Sequence, residues 1–262
     1  MEPASAMMAR VRERNPLVHQ ITNYVTVNLC ANATICAGAS PIMTDAPEDA
    51  LDIARVSSAL VLNIGTLNPG IIESMIKAGK VANGAGVPVV LDPVGAGATP
   101  YRTECSEKII REVKVSVIKG NGGEIGTLAG MGGEMKGVDS ESGGNVEAVR
   151  KLAKRTGAVV SMSGPTDYVS DGKTTYSIEG GHVWLSRVSG SGCALAAVTG
   201  AYVAANGVSA ASAANACALF SVAAEIAAAE SNGPGTFPAA FLDALHGMDG
   251  ETLDEKARVT RL

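Results

Sequence analysis

Three short segments of the 262-residue chain combine glycines with side chains that could take part in chemistry. In the first, Asp92 follows an apolar run at residues 87–91 and precedes a glycine-containing loop at residues 93–97. Open α/β sheets bind their ligands beyond the carboxyl ends of the strands, and glycines there let a ligand approach the backbone. Asp92 is therefore a candidate ligand-binding carboxylate, and a turn or helix-capping aspartate is the competing interpretation.

The second segment offers a cation, an amide and a carboxylate within six residues: Lys119, Asn121 and Glu124. Asn121 and Glu124 are three residues apart, so they share one face if a helix starts there. Asp92 and Glu124 would then lie on adjacent strand ends, and two neighbouring carboxylates require a cation. Carboxylate oxygens and waters suit Mg²⁺, which makes this pair a candidate magnesium site. A capping glutamate next to a surface lysine is the alternative.

The third segment, residues 188–195, is a glycine turn that runs into a helix of small residues. The backbone of Gly190, Ser191 and Gly192 would aim N–H groups and the positive end of the helix dipole at a ligand, and a phosphate suits such a site. Cys193 would lie in the first turn, where a thiol pKa is lowered. It is therefore a candidate proton acceptor for an attacking hydroxyl, with an inert core cysteine as the alternative.

Two familiar nucleotide-binding motifs are matched only in part. Residues 172–174 (GKT) end like a P-loop, but Asp167 occupies the position of its first glycine. Residues 190–192 (GSG) begin like a dinucleotide fingerprint, yet Leu195 replaces the third glycine. The three histidines are far apart and show no metal-ligand spacing. A nicotinamide-dependent oxidoreductase, a Cys–His hydrolase and a non-catalytic binding module remain as alternatives to a phosphotransferase.

Hydrophobic patterning predicts the elements that position these segments. Apolar runs rich in valine and isoleucine occur at residues 59–64, 87–91, 115–118 and 158–162. They are continuous rather than alternating, as expected for parallel strands buried on both faces of a sheet. Helical patterns at residues 70–85 and 103–112 separate the first three runs. This βαβαβ series predicts a doubly wound α/β fold of three layers, a mostly parallel sheet flanked by helices.

Residues 167–187 follow a different pattern, in which short apolar stretches alternate with glycine turns. We predict short antiparallel strands around Tyr168, at residues 174–178 and at residues 183–185, attached to the parallel sheet. Neither a low-complexity linker nor an internal repeat interrupts the sequence. One domain is therefore expected over residues 1–262.

Composition narrows the classes of function. A net charge of −5 and a pI of about 5.3 argue against a nucleic-acid partner, which selects for a basic surface. The five cysteines are odd in number and form no CxxC pair, which is typical of reduced thiols. No signal peptide is visible, and polar residues interrupt the apolar stretch at residues 194–229. We therefore expect a cytoplasmic protein with buried helices and no membrane association.

A set of ordered segments carries a resemblance to a known family: residues 16–23 (PLVHQITN), 38–43 (GASPIM), 62–67 (LNIGTL), 91–99 (LDPVGAGAT), 120–125 (GNGGEI), 190–193 (GSGC) and 233–237 (GPGTF). Over nearly its full length the chain resembles the hydroxyethylthiazole kinases, thiamine-salvage enzymes with a ribokinase-like fold. The resemblance implies ATP-dependent phosphorylation of the hydroxyl of 4-methyl-5-(2-hydroxyethyl)thiazole, with Mg²⁺ as cofactor. A kinase of the same fold for another hydroxyalkyl heterocycle, such as a hydroxymethylpyrimidine, is the alternative.

On the acceptor side, the resemblance assigns roles to five residues. It implies that Asn23, Met43 and Gly65 contact the thiazole, and that Gly190 and Cys193 close the site beside its hydroxyl. The family forms homotrimers with acceptor sites at subunit interfaces, so the same assembly is expected here.

On the nucleotide side, the resemblance implies that Lys119 and Ser163 contact ATP and its phosphates. Asn121 and Glu124 match an NxxE element that organises Mg²⁺, with Asp92 nearby.

This chain and its family depart from related patterns at two positions. The family usually carries arginine where this chain has Lys119, and lysine supplies a point charge without the bidentate fork. Related sugar kinases carry an aspartate where this family has a cysteine, here Cys193, and a thiol is a poorer general base than that carboxylate.

Overall fold

The computed structural model describes residues 2–131 and 142–262. The strands of this part are β1 Leu17–Ile21, β2 Ser40–Met43, β3 Ala59–Asn63, β4 Val89–Asp92, β5 Val117–Asn121, β6 Val159–Ser163, β7 Thr166–Ser170, β8 Thr175–Glu179 and β9 Arg258–Arg261. Its α-helices are α1 Ala4–Arg14, α2 Val27–Cys36, α3 Pro47–Val56, α4 Pro69–Gly84, α5 Pro100–Glu112, α6 Gly122–Leu128, α7 Ser142–Thr156, α8 Ser191–Asn206, α9 Ala210–Glu230, α10 Phe237–Gly247 and α11 Gly250–Lys256. A 3₁₀ helix, Val183–Arg187, precedes α8.

The described strands form one sheet in the order β2-β1-β3-β4-β5-β6-β7-β8-β9. The strands from β2 to β6 pair in parallel, and β7, β8 and β9 are joined by antiparallel pairing. The central strands β3 and β4 are buried along their whole length, as continuous apolar runs require. The predicted mostly parallel α/β architecture is confirmed, and β1 and β2 extend it beyond the four predicted runs.

The two predicted helices of the first half are α4 and α5. Each begins at a proline, and the preceding Asn68 or Thr99 caps it by accepting a backbone N–H with its side chain. Proline suits the first helical position because the N–H that it lacks would have no partner there. These caps explain why both helices start earlier than the apolar pattern predicted.

Helices cover both faces of the sheet with separate apolar clusters, one under α1, α2 and α8–α11 and the other under α3–α7. Gly200 of α8 packs directly on the strands. A Cβ at this position would lie 2.8 Å from a methyl of Val61 and 3.3 Å from a methyl of Val18. The absence of a side chain thus lets α8 lie close to the sheet, with its N-terminus near the strand ends.

One described helix, α9, is long and apolar enough to cross a membrane by length and composition alone. Most of its apolar window, 83%, is buried inside the fold, where α9 packs against α8, α10 and the strands β6–β8. Its apolar surface is therefore that of a core helix, which agrees with the buried helices predicted for residues 194–229.

The prediction of a strand at residues 183–185 is wrong, because this segment belongs to the 3₁₀ helix Val183–Arg187. Gly180 and Gly181 both adopt positive φ, 126° and 84°, and turn the chain away from the sheet after β8. The edge of β8 pairs instead with β9, from the end of the chain. No local pattern in residues 167–187 could indicate a partner that lies so far away in sequence.

Candidate active site

The candidate site lies at the carboxyl edge of the sheet, where parallel strands end side by side. Asn63 and Asp92 are the last residues of β3 and β4, and they pair with each other. Asn121 and Ser163 likewise end β5 and β6 and are paired. Four polar side chains that are far apart in sequence therefore lie on neighbouring strand ends.

A chain of side-chain hydrogen bonds crosses these strand ends. Asn23 Nδ2 donates to Asn63 Oδ1 at 2.9 Å, and Asn63 Nδ2 donates to Asp92 Oδ2 at 2.5 Å. The backbone N–H of Gly65 donates to the same Asn63 oxygen at 2.9 Å. Since this oxygen accepts two donors, the NH₂ group of Asn63 must face Asp92. A Cβ on Gly65 would lie 2.8 Å from Asn23, so only glycine fits at this point.

Asp92 is buried, and its charge is the least solvated of the site. Burial raises the pKa of Asp92 to about 7. The positive charge of Lys119 lowers this pKa and the negative charge of Glu124 raises it, and both effects are included in that value. Hydrogen bonds from Cys193 and Asn63 favour its ionised form. Asp92 is therefore a carboxylate whose protonation state is open to change near neutral pH.

Glu124 is fixed by the start of α6. Asn121 accepts the N–H of Glu124 at 3.0 Å, and Glu124 Oε2 accepts the N–H of Asn121 at 2.8 Å, which is a reciprocal capping box. Glu124 Oε1 accepts the N–H of Gly95 at 2.8 Å, which ties the loop after β4 to this helix. The capping alternative thus describes the geometry correctly, and it holds the carboxylate of Glu124 beside the exit of β4.

The two acidic residues can be tested as a magnesium site by their donor chemistry. Among the described residues, no group of three or more His, Cys, Asp or Glu side chains could hold a metal ion by itself. Glu124 raises the pKa of Asp92, and a cation would relieve that repulsion. Mg²⁺ keeps waters and is held by one or two carboxylates together with substrate phosphates. Asp92 and Glu124 therefore fit a metal that arrives with a nucleotide.

Lys119 lies inside β5, two residues before its end, and not at the strand exit as predicted. The surface-lysine alternative is also wrong, because the side chain is buried. Its ammonium lies against the first turn of α8, since a Cβ built on Gly192 would be 3.0 Å from Lys119 Nζ. The cation and the start of α8 therefore face the same small volume.

At the start of α8, a glycine is required at position 190 for two reasons. Gly190 has a φ of 92°, a conformation that side chains disfavour, and a Cβ there would lie 2.6 Å from Thr26. The first N–H groups of the helix, among them those of Gly192 and Cys193, have no acceptor within the helix. Together with the dipole of this 16-residue helix they present partial positive charge next to Lys119.

The predicted lowering of the Cys193 pKa is wrong. Burial raises the pKa of the Cys193 thiol, and the nearby carboxylate of Asp92 raises it further, against hydrogen bonds from Thr26, Asn63 and Asn23. Among these donors, Asn23 Nδ2 lies 3.4 Å from the sulfur. Cys193 is therefore a protonated thiol among amides at neutral pH, and a weak candidate for a base.

Met43 and Ser163 lie towards opposite ends of the site. Met43 ends the edge strand β2, where it is half-buried and pairs with Gln20 of β1. Ser163 donates from Oγ to the carbonyl of Gly120 at 3.3 Å, beside the strand that carries Lys119. Of the residues expected on the acceptor side, Asn23, Met43 and Gly65 lie at or after β1, β2 and β3, and Gly190 and Cys193 lie at the start of α8. Those expected to contact ATP lie on β5 and β6.

Two residues that organise the site were absent from the predicted set. Asn63 links Asn23 to Asp92, and it had a signal in the sequence, because it is an amide within the apolar run at residues 59–64. Arg102 donates to three backbone carbonyls in the loops after β3 and β4, at 2.8 to 3.1 Å. It had no signal, since these contacts arise only when α5 packs on both loops.

Neither nucleotide motif rejected from the sequence is formed. Residues 172–174 lie at the β7–β8 turn, and residues 190–192 follow a 3₁₀ helix rather than a strand. A mostly parallel sheet that buries a cation beneath a helix N-terminus, near carboxylates at its strand ends, is an arrangement that suits a bound phosphate group.

Comparison with known proteins identifies the family. The model of the hydroxyethylthiazole kinase family matches residues 8–251. Hydroxyethylthiazole kinase of Methanocorpusculum labreanum is 49% identical over 262 residues, which cover 99% of this chain and 99% of that protein. The protein of the same name from Moorella thermoacetica is 44% identical and covers 100% of this chain and 98% of its own. The chain belongs to the hydroxyethylthiazole kinase family.

Solved structures agree with this placement. A hydroxyethylthiazole kinase protein from Pyrococcus horikoshii OT3 superposes with a TM-score of 0.91 at 42% identity, over 99% of this chain and 98% of that one. Pyridoxal kinase from Staphylococcus aureus, in complex with AMP-PCP and pyridoxal, shares the fold with a TM-score of 0.64 at 18% identity, over 94% and 99% of the two chains. The family resemblance and the ribokinase-like fold expected from the sequence are both confirmed.

Replacement of Asp92 by Asn should remove a pH dependence of stability. Below pH 3.8, the ordinary pKa of an aspartate, Asp92 is protonated in both the folded and the unfolded chain. Between pH 3.8 and about pH 7, Asp92 loses its proton in the unfolded chain and keeps it in the folded chain. Wild-type stability should therefore fall as pH rises through this range and stay lower above it, whereas Asp92→Asn should lack this fall.

Urea unfolding in EDTA from about pH 4 to about pH 8 measures this difference. Asp171→Asn, a change at an exposed turn aspartate, is the matched control and should follow the wild type. A stability difference between Asp92→Asn and wild type that stays constant with pH would contradict the buried-carboxylate interpretation.

Proposed function

We propose that this protein transfers the terminal phosphate of ATP to the hydroxyl of 4-methyl-5-(2-hydroxyethyl)thiazole, as a step of thiamine salvage. The observation that carries the proposal is the buried Lys119 ammonium against Gly192 in the first turn of α8, near Asp92 at the end of β4 and Glu124 at the start of α6. Relatives that match this chain over nearly its full length at 44–49% identity are named hydroxyethylthiazole kinases, which supports the acceptor.

The nucleotide side of the site suits a migrating phosphoryl group. Phosphoryl transfer passes through a loose transition state whose charge is spread over the peripheral oxygens. Lys119 and the N–H groups at the start of α8 are in place before a substrate binds, so they can stabilise that charge without reorganisation. Mg²⁺, held by Asp92 and Glu124 with the nucleotide phosphates, would supply further charge neutralisation. Asn121 and Ser163 would contact the nucleotide from the ends of β5 and β6.

The acceptor side suits a small sulfur heterocycle. Asn23 and Gly65 are linked through Asn63, which makes this wall of the pocket rigid. Met43 offers a soft, polarisable surface to the ring. The hydroxyl would lie beside Cys193, and because a loose transition state demands little of a base, a thiol that stays protonated can orient that hydroxyl instead of deprotonating it. The hydroxyl proton would then pass to an oxygen of the transferred phosphoryl group as the new O–P bond forms and the bond to ADP breaks.

Release of ADP from ATP in the presence of hydroxyethylthiazole tests the proposal. We expect turnover with Mg²⁺, loss of most of it in EDTA, and only background release without the alcohol. A higher kcat/KM for a hydroxymethylpyrimidine would instead support the alternative acceptor. Binding of the thiazole without ADP release would indicate a non-catalytic module, and binding of a nicotinamide cofactor in place of ATP would indicate an oxidoreductase.

Gly192→Val should impair phosphate binding at the first turn of α8 and leave the rest of the fold intact. A Cβ at this position already lies 3.0 Å from Lys119 Nζ, and the two methyls of valine add to the crowding. We expect kcat/KM for ATP to fall by about 10²-fold, the scale for losing preorganised charge stabilisation.

The matched control is Gly84→Val, at the exposed end of α4, where a Cβ meets nothing within 4 Å. It should keep wild-type kinetics. If Gly192→Val also kept them while remaining folded by circular dichroism, the phosphate would have to bind elsewhere.

The proposal includes a homotrimer in the cytoplasm with acceptor sites at subunit interfaces. Tyr24 and Val25 follow Asn23 and are 78% and 63% exposed, and Ile35 of α2 is 55% exposed. Exposed apolar side chains beside a site are typical of a subunit contact. All five cysteines lie in the described part and are free thiols, which suits a reducing compartment.

Light scattering should therefore give the mass of three chains, and Tyr24→Lys should shift the protein towards smaller species with a higher KM for the alcohol. A monomer with unchanged kinetics would contradict the assembly. It would leave the phosphotransferase proposal in place.

A further inference from the structure

Two loops that form parts of the candidate site leave the sheet from the neighbouring strands β3 and β4. The first contains Gly65, and the second contains Gly95, whose N–H donates to Glu124 Oε1 at 2.8 Å. The last backbone hydrogen bond between the two segments runs from the N–H of Ile64 to the carbonyl of Asp92 at 3.2 Å. In the described part of the chain, no backbone hydrogen bond joins the loops beyond this point. Sheet pairing therefore does not fix the distance between them.

The guanidinium of Arg102 joins the loops where the backbone does not. Its Nη1 donates to the carbonyl of Ile64 at 3.1 Å and to that of Val94 at 2.8 Å, so one nitrogen bridges both loops. Its Nη2 donates to the carbonyl of Gly65 at 3.0 Å. The stem of the side chain packs on the second loop, since a Cβ on Gly95 would lie 2.8 Å from Arg102 Cδ. Because the guanidinium is planar and rigid, these contacts hold the loops at one separation.

Arg102 occupies a helix position at which a cation is locally unfavourable. Thr99 caps α5 by accepting the N–H of Arg102 at 3.2 Å, which places Arg102 in the first turn. The positive end of the helix dipole favours acidic residues there, and a capping box would have glutamate at this position. The first turn of α5 contains no acidic residue. A residue that opposes the preference of its own helix while it bonds to two loops is typical of a functional constraint.

Each loop transmits its position to a side chain of the site. Gly65 lies against Asn23, since a Cβ at this glycine would be 2.8 Å from the Asn23 amide. Gly95 is bonded to Glu124 through its N–H. Arg102 therefore links the wall proposed for the alcohol to the carboxylate proposed for the metal of the nucleotide.

We propose that Arg102 is a positioning residue that fixes the distance between the bound alcohol and the nucleotide phosphates by holding the loops after β3 and β4 together. The inference rests on the proposed function, since it concerns the alignment of those two substrates. Group transfer depends steeply on alignment, and a misplacement of about 1 Å can cost about 10²-fold in rate. Because each wall keeps its own contacts, replacement of Arg102 should slow transfer more than it weakens the binding of either substrate.

Arg102→Lys keeps the charge and most of the stem, but it replaces the planar fork with one ammonium on a shorter side chain. For the full chain, we expect kcat to fall about 10-fold to 10²-fold, while the KM values for ATP and for hydroxyethylthiazole change by less than about twofold. Arg102→Met, which keeps only an apolar stem against Gly95, should lose at least as much turnover. Initial rates at varied concentrations of each substrate measure these values.

Calorimetric titration with MgATP gives the number of nucleotide sites per chain, and kcat is divided by this number. Lost folded protein is then not counted as slow transfer. Arg111→Lys is the matched control, because it makes the same change at an exposed position of the same helix, and it should keep wild-type values. If circular dichroism shows that Arg102→Met does not fold, the comparison of Arg102→Lys with Arg111→Lys decides.

Three results would overturn the inference. One is a kcat per site within about twofold of the wild type in the folded Arg102 variants. Another is a loss confined to the KM of one substrate, because Arg102 would then shape one wall and not the distance between the two. The third is a loss of turnover that the number of nucleotide sites explains in full.

Failure of the proposed function has a different signature. A wild-type chain that phosphorylates a hydroxymethylpyrimidine in place of the thiazole overturns the proposed acceptor, and the same comparison of kcat with that alcohol tests the inference. A wild-type chain that phosphorylates none of the alcohols overturns the proposed function and the inference with it. Wild-type turnover that the Arg102 variants retain overturns the inference alone.

Discussion

Charged side chains are buried at the carboxyl edge of this sheet, and most features of the site follow from the need to stabilise them. Taking a carboxylate or an ammonium out of water costs several kcal/mol, even after the protein relaxes around it. Here Lys119 lies on the strand next to that of Asp92 and lowers the pKa of this carboxyl, so these two buried charges oppose each other across the sheet. The opposition is incomplete for Asp92, which is why its pKa lies near 7.

Neutral groups supply the remaining stabilisation and also set the geometry. Asn63 donates to Asp92, while its oxygen is occupied by Asn23 and by a backbone N–H. Both oxygens of Glu124 accept backbone N–H groups from two different loops. A carboxylate held in this way cannot reorient when a substrate binds. Stabilisation of buried charge and preorganisation for phosphoryl transfer are therefore produced by the same hydrogen bonds.

The glycines of the site act through the space that they leave open. Gly65 makes room for Asn23, Gly190 for Thr26 and Gly192 for the ammonium of Lys119. Only Gly190 among these also needs its positive φ. The glycine-rich appearance of these segments thus reflects close approach between distant parts of the chain more than conformational freedom.

Cys193 shows how a correct local argument can be reversed by tertiary structure. A thiol in the first turn of a helix is normally acidified by the helix dipole, and the sequence places Cys193 in that turn. The fold then brings Asp92 next to the sulfur and removes water from both, so the pKa of the thiol rises. The dipole acts through local backbone, whereas the opposing carboxylate comes from a different strand.

The sequence by itself determined the central strands, the helices α4 and α5 and the family of the chain, and it offered capping by Glu124 as one of two interpretations, because these depend on patterns within short segments. Only the tertiary structure decided which polar groups meet: the Lys119 ammonium with the first turn of α8, and the Asp92 carboxylate with the Cys193 thiol. It also decided that β9 rather than residues 183–185 completes the sheet edge. Propensity and hydrogen-bond capping act over a few residues, but Coulomb energy and desolvation depend on distances between segments that the chain order does not specify.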